Sequence, residues 1–184
     1  MTDWGTPKVL FDPLNKLLNF KVDAAANHDN HLLPDWYGPG SLLGEDALSV
    51  PIWLSPAWCN PPYGRGIELW LKKFIEQKEL GNRVVALLPA RTEVRWWYDY
   101  VVPEANIIFL VGRVPFVDPS RTKPTQPDHG SALLTYEPGS GQNITWIDWK
   151  TRFNAGVKNG TNVVEPVEGD TQALGVDLPV PTGA

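Results

Sequence analysis

Cysteine is almost missing from these 184 residues: Cys59 is the single one. That excludes an internal disulfide framework and points to a reducing cytosol. No apolar run approaches the roughly 20 residues of a membrane-spanning helix, so no membrane partner is expected. The opening "MTDWGTPKVLFDPLNK" has no basic segment followed by an apolar one, and no secretory signal is expected. His28 and His31 lie three apart in a Pro/Gly-rich stretch with no cysteine or third histidine nearby. That falls short of a structural zinc set, and no metal is expected. An excess of positive charge is lacking too: 16 Lys and Arg stand against 21 Asp and Glu, a net charge of −5. This argues against a protein that grips nucleic acid by charge alone.

The charge is unevenly spread. Residues 1–59 hold three basic against seven acidic residues, residues 126–184 repeat that ratio, and residues 60–125 hold ten against seven. What the chain has in abundance is tryptophan, nine residues, and proline, eighteen. The first suggests aromatic-lined surfaces, the second many irregular connections. A length of 184 residues suits one domain with a sizeable core.

Along the chain, "TPKVLFDPLNKLLNF" places Val9, Leu10, Leu14, Leu17 and Leu18 at helical spacing after a Thr6-Pro7 start signal. "FKVDAAA" reads as a short strand ending at Asp23. The stretch to about residue 46 is dense in Asn, Asp, Gly and Pro, a loop composition. Pro51 and Pro56 confine the next strand to the few residues before Asn60. "GIELWLKKFIEQKELGN" is an amphipathic helix stopped at Gly81, and "RVVALLPA" is a buried strand of the parallel type. "RTEVRWWYDYVV" reads as a helix, "NIIFLVGRVPF" and "SALLTYEP" as strands, and "QNITWIDWKTRFNAG" as strand passing into helix. Strands alternating with helices predict an α/β domain with a mostly parallel sheet and flanking helices. Residues 1–155 form that domain. Residues 156–184, rich in Gly, Pro, Thr and Val without periodicity, read as an extended or flexible tail.

The chemically loaded stretch is Asn60-Pro61-Pro62-Tyr63, between an apolar strand and an amphipathic helix. In an open α/β sheet, ligands bind beyond the carboxyl ends of the strands, where Asn60 would lie. Two prolines fix the loop and hold a backbone carbonyl in place. The Asn60 side-chain oxygen and that carbonyl can both accept hydrogen bonds from an exocyclic amine, and Tyr63 offers a ring for a planar base. Such a site draws the nitrogen lone pair out of conjugation, so that it can attack an electrophilic methyl group. The structural alternative is a tight turn with a capping tyrosine.

Here the residues carry a resemblance. NPPY after a strand looks like the catalytic motif of amino-methyltransferases. The ordered series Trp4-x-Thr6-Pro7, Phe20 to Ala26, Trp58 to Gly64, Val84 to Thr92, Trp96-Trp97 and Phe109 to Phe116 resembles the phage-type DNA N6-adenine methyltransferase (Dam-like) family, from residue 4 to about 136. The resemblance implies a compact Rossmann-like S-adenosylmethionine-dependent methyltransferase fold, acting on double-stranded DNA in the cytoplasm of a bacterial host. It implies that Asn60, Pro61, Pro62 and Tyr63 bind and activate an extruded adenine. It places Asp23, with Ala24 and Ala25, at the cofactor's aminocarboxyl or ribose end. Thr6 and Pro7 belong to an element closing over the cofactor, and Asp46 faces its adenosine half. Ala24-Ala25-Ala26 stand where such enzymes carry a glycine-rich cofactor loop.

Several residues keep two readings. Asp23 is a cofactor ligand or a helix N-cap. Arg91 and Thr92 line the substrate side or form a capping turn. Arg113 meets phosphate or forms a structural ion pair, and Arg121 and Lys123 contact the target strand or sit in a solvated connection. NPPY also marks methyltransferases acting on protein glutamine or RNA bases, and the alanines leave room for a non-enzymatic binding relic of the fold.

Overall fold

The computed structural model of the chain describes residues 4–117, 127–141 and 143–154. In chain order the elements are α1 (Lys8–Leu18), β1 (Val22–Asp23), a single 3₁₀ turn (Ala47–Ser49), β2 (Ala57–Cys59), α2 (Ile67–Glu79) and β3 (Val84–Pro89). There follow α3 (Arg95–Tyr100), β4 (Asn106–Leu110), β5 (Ser131–Tyr136), β6 (Ile144–Ile147) and α4 (Trp149–Asn154). The expected tail at 156–184, and Arg121 and Lys123, lie outside the described residues.

The six strands form one sheet in the order β1-β2-β3-β5-β4-β6. β1 with β2, β2 with β3 and β4 with β6 pair in parallel, while β5 is antiparallel to both its neighbours. Five strands therefore point one way and β5 alone is reversed, so the mostly parallel expectation holds only in part. Periodicity cannot report this, because a strand buried on both faces reads the same in either direction. β3 and β5, buried at every position, form the centre. β6, with its alternating exposure, is an edge.

Alternate residues divide the core into two layers. Val84, Ala86 and Leu88 of β3 face Leu71 and Phe74 of α2 and Trp97 of α3. Val85 and Leu87 face Leu10, Phe11 and Leu14 of α1 and Trp149 of α4. The apolar spacing of α1 thus becomes a buried face despite Pro13 inside the helix. Gly81 takes φ +86° just past α2, where a helix needs a left-handed exit. α3 starts later than its sequence pattern predicts. Residues 91–94 are spent on a turn out of the sheet, in which Val94 N–H donates to the Arg91 carbonyl at 3.2 Å.

Between β1 and β2 the chain forms no strand and only the 3₁₀ turn. Residues 24–56 instead fold over the carboxyl ends of those strands. Asp23 and Tyr37 exchange backbone contacts with the segment's first and second legs, Tyr37 N–H donating to the Asp23 carbonyl at 2.9 Å. Gly38 sits at φ +142° with its position for a Cβ only 1.8 Å from the Ala26 carbonyl oxygen, so no other residue fits there.

The segment is also anchored from below by Gln77 of α2, a fully buried amide. Its Oε1 accepts from Trp53 N–H at 2.8 Å and from Asn82 Nδ2 at 3.0 Å, and its Nε2 donates to the Pro51 carbonyl at 2.8 Å. Gln77→Leu keeps the volume and strands the buried Trp53 N–H. The expected cost is about 2 kcal/mol of stability, read as a lower urea midpoint with unchanged slope.

Candidate active site

A cavity of about 450 Å³ opens above the carboxyl ends of β1 and β2. Its walls come from the N-terminal segment before α1, the residues after β1, the 37–47 part of the covering loop, and the turn Asn60–Tyr63. That is the place an open α/β sheet offers a ligand, because the loops that leave its parallel strands all emerge at that edge.

Asn60 is held on both sides of its amide. Its Nδ2 donates to the Trp4 carbonyl at 2.8 Å, and its Oδ1 accepts from the Tyr63 hydroxyl at 2.8 Å. A backbone carbonyl can only accept, so the nitrogen must face Trp4 and the oxygen must face Tyr63. One lone pair of Oδ1 is left for a ligand. The Tyr63 hydroxyl also reaches the Leu87 carbonyl at 3.0 Å, and its ring meets Phe116 edge-on at 6.0 Å. Burial pushes that hydroxyl well above its ordinary range, so it stays a proton-bearing donor. Pro61 is buried beneath the turn and Pro62 is exposed.

Asp23 also lines the cavity and is 4% exposed. Its Oδ2 accepts from Leu32 N–H at 3.1 Å and its Oδ1 from Ala25 N–H at 3.5 Å. Burial pushes its carboxyl up to about 6, against the lowering effect of those two amides and of His31. No helix follows Asp23, so the N-cap reading is set aside in favour of a carboxylate that pins the covering loop. Ala25 lines the cavity, whereas Ala24 is packed into the core on the α2 side. Thr6 is 5% exposed and lines the cavity, and its hydroxyl has no partner among the described residues. Pro7 stands one residue away as the N-cap of α1, outside the cavity wall. Asp46 borders the cavity and caps the 3₁₀ turn, accepting from Leu48 N–H at 3.0 Å and the Ser49 hydroxyl at 2.6 Å.

The sequence matches the family described as DNA N-6-adenine-methyltransferase (Dam) over residues 2–158. The chain belongs to that family. A DNA N-6-adenine-methyltransferase of Escherichia phage T1 is 29% identical over 111 residues. The aligned part is 58% of this chain and 44% of that relative, so the chain spans less than half the length of the curated protein it matches.

Not every residue singled out in this Dam-family sequence reaches the cavity. Arg91 and Thr92 are exposed beyond β3, with Arg91 paired to Glu93 at 3.1 Å. The N-cap of α3 is Val94, so neither residue caps that helix. Arg113 forms no ion pair with an acidic side chain among the described residues; its guanidinium donates to the Pro127 carbonyl. Trp97 is buried and Trp96 half-buried, dividing the pair between core and surface. The cavity also recruits residues that sequence reasoning did not assign: Trp4, Tyr37, Trp58, Trp70 and His129. Trp4 and Trp58 stood inside the motifs quoted for the family, but nothing local says which way an indole faces. His129 enters from the residue before Gly130, whose carbonyl accepts from Ala90 N–H at 2.9 Å. Only sheet pairing brings it there.

Proposed function

We propose that the chain transfers a methyl group from S-adenosylmethionine to the N6 amine of an adenine extruded from double-stranded DNA. What carries this reading is Asn60: an amide oxygen fixed as an acceptor by Trp4 and Tyr63, on a diproline turn, in a cavity that the Asp23 carboxylate also lines.

The residues fit the cofactor. A cavity of about 450 Å³ has room for it. Thr6 and Trp58 line it, and the Thr6 hydroxyl and the Trp58 indole N–H are buried without partners among the described residues. They suit an acceptor-bearing ligand such as one with a carboxylate. Asp23, at the opposite polarity, would take the cofactor's amino group or a ribose hydroxyl, with Ala25 allowing close approach and Asp46 bordering the adenosine half. Bound there, S-adenosylmethionine would supply an electrophilic methyl group and leave as the neutral thioether, the surplus N6 proton passing to water.

The chain's own part is to hold the amine. Asn60 Oδ1 and the Pro61 carbonyl accept its two N–H groups, which favours the nitrogen geometry in which its lone pair is free. Because these acceptors are fixed beforehand, charge developing on nitrogen is stabilised without reorganisation. The half-buried Tyr63 ring offers a stacking face worth roughly 1–3 kcal/mol, set against an extrusion cost of a few kcal/mol. Arg91, Thr92 and Arg113, exposed outside the cavity, would meet the flanking strand rather than the base. Residues 1–155 would make up the catalytic unit, working in the cytoplasm of a bacterial host. Among the described residues no helix is long and apolar enough to cross a membrane.

The test offers tritiated methyl donor with DNA, RNA and protein in separate reactions. Label is expected in DNA, recovered by mass spectrometry as N6-methyladenine. Label appearing only in RNA or protein overturns the assignment.

A further inference from the structure

The N-terminal segment is stitched to the far side of the site. Gly5 N–H donates to the Val117 carbonyl at 2.7 Å, and Val117 N–H returns a bond to Gly5 at 2.9 Å. This two-residue bridge suspends Trp4 over the Asn60 turn. Its carbonyl takes the Asn60 amide, and its ring stacks on Phe116 with centroids 5.8 Å apart and planes 29° from parallel. Phe116 in turn meets Tyr63 edge-on. Trp4 is therefore part of the same aromatic wall as the tyrosine, at the Asn60 end of the cavity.

One atom of this arrangement is unused. The Trp4 indole Nε1–H is buried and has no acceptor among the described residues. Buried donors in folded proteins nearly always have a partner, and leaving one out is costly. The indole nitrogen can only donate. Asn60 Oδ1 can only accept. Trp4 and Asn60 both line the cavity and are joined through the Trp4 carbonyl, so the two residues bring one donor and one acceptor to it, the complement of a planar ring that carries an amine next to a ring nitrogen. In adenine, N1 and N7 flank the exocyclic amine and both accept. A guanine or thymine would set its own carbonyl oxygen against Asn60 Oδ1, acceptor against acceptor.

Resting on the functional reading above, we propose that Trp4 reads the target base: its indole N–H donates to the ring nitrogen beside the amine, while its carbonyl locks Asn60 in the accepting orientation. Trp4 is in this sense a specificity-determining residue, and adenine is chosen over 6-oxopurines and thymine at the cavity itself rather than by groove contacts alone.

Trp4→Phe isolates the effect, since it keeps an aromatic ring against Phe116 and the backbone carbonyl for Asn60, and removes the N–H. The probe is a G·C duplex holding one adenine opposite an abasic site, which lowers the cost of extrusion. Two companions carry 1-deazaadenine or 7-deazaadenine in its place. Dissociation constants are read by fluorescence anisotropy, so altered amine reactivity does not enter. Wild type is expected to lose about tenfold in affinity on one of the two deaza duplexes. Trp4→Phe should lose about tenfold on the adenine duplex and nothing more on that deaza duplex. Calorimetry with S-adenosylmethionine should show cofactor affinity unchanged in the variant.

If wild type is indifferent to both replacements, or the variant weakens by one constant factor on all three duplexes, the inference is overturned. The functional reading fails differently: the duplexes bind but no label is transferred to DNA, and the deaza comparison stays legible because anisotropy needs no turnover.

Discussion

Asn60→Ala is expected to lower turnover on DNA by about 10²–10³-fold at saturating S-adenosylmethionine and to leave the cofactor's dissociation constant where it was. The size follows from the loss of one pre-fixed polar contact to the reacting group. The split between turnover and cofactor binding follows from the proposed roles: the Asn60 amide is bonded to Trp4 and Tyr63, and not to Asp23 or Thr6, the residues proposed to hold the cofactor. The variant also frees the Trp4 carbonyl and leaves the Tyr63 hydroxyl with the Leu87 carbonyl as its remaining acceptor. Some weakening toward DNA therefore accompanies the loss of rate. Asn60→Asp is not expected to rescue turnover, because a carboxylate oxygen would then confront the Trp4 carbonyl. Radiolabel transfer and calorimetry on the same preparations separate the two quantities. Near-normal turnover by Asn60→Ala would sink the role given to this amide.

Asp23→Asn should move stability and cofactor affinity in opposite directions. The Asp23 carboxyl titrates at about 6 when folded, against 3.8 for an ordinary aspartate, because burial penalises its charge. Between those values the folded chain holds the proton longer than the unfolded one. Stability therefore falls as pH rises through that window and stays lower above it, by on the order of 3 kcal/mol. Asparagine has no such charge and still offers an oxygen to Leu32 N–H, although its NH₂ would face Ala25 N–H at the longer contact, which offsets part of the gain. At pH 8 the variant should melt about 5 °C higher than wild type, with the difference vanishing below pH 4. Its affinity for S-adenosylmethionine should fall about 10–100-fold, the loss of a hydrogen bond to a charged group. Wild-type affinity should itself decline as pH drops through 6. A variant that binds the cofactor as tightly as wild type would remove Asp23 from the site.

Under the proposed role, the opposed signs would account for an acid at a position where burial disfavours its charge: the bound ligand would stabilise the carboxylate that the fold alone does not. Three residues that line the cavity carry buried donors without partners among the described residues, Trp4 Nε1, Thr6 Oγ1 and Trp58 Nε1. Under the proposed function each would gain a contact from the bound ligand.

Much of this was legible in the order of residues. The helical spacing of Leu10, Leu14 and Leu18, the apolar runs at 84–89 and 131–136, and the halting of α2 at Gly81 all follow from local rules, since a helix or a buried strand writes its period into neighbouring residues. The NPPY turn at a strand's carboxyl end was legible for the same reason: proline's fixed φ and missing N–H act within one or two residues. The direction of β5 and the arrival of Trp4 and His129 in the cavity were not. These depend on pairings between residues far apart in sequence, such as Gly5 with Val117 and Ala90 with Gly130. Nor could composition reveal that Asp23 would be 4% exposed, or that Asn60 would have its amide orientation set from a residue 56 positions away. The sequence by itself determined which chemical groups stand at the strand ends and the local geometry they demand. Only the tertiary structure decided which of them meet, because burial, charge cost and hydrogen-bond direction belong to neighbours in space.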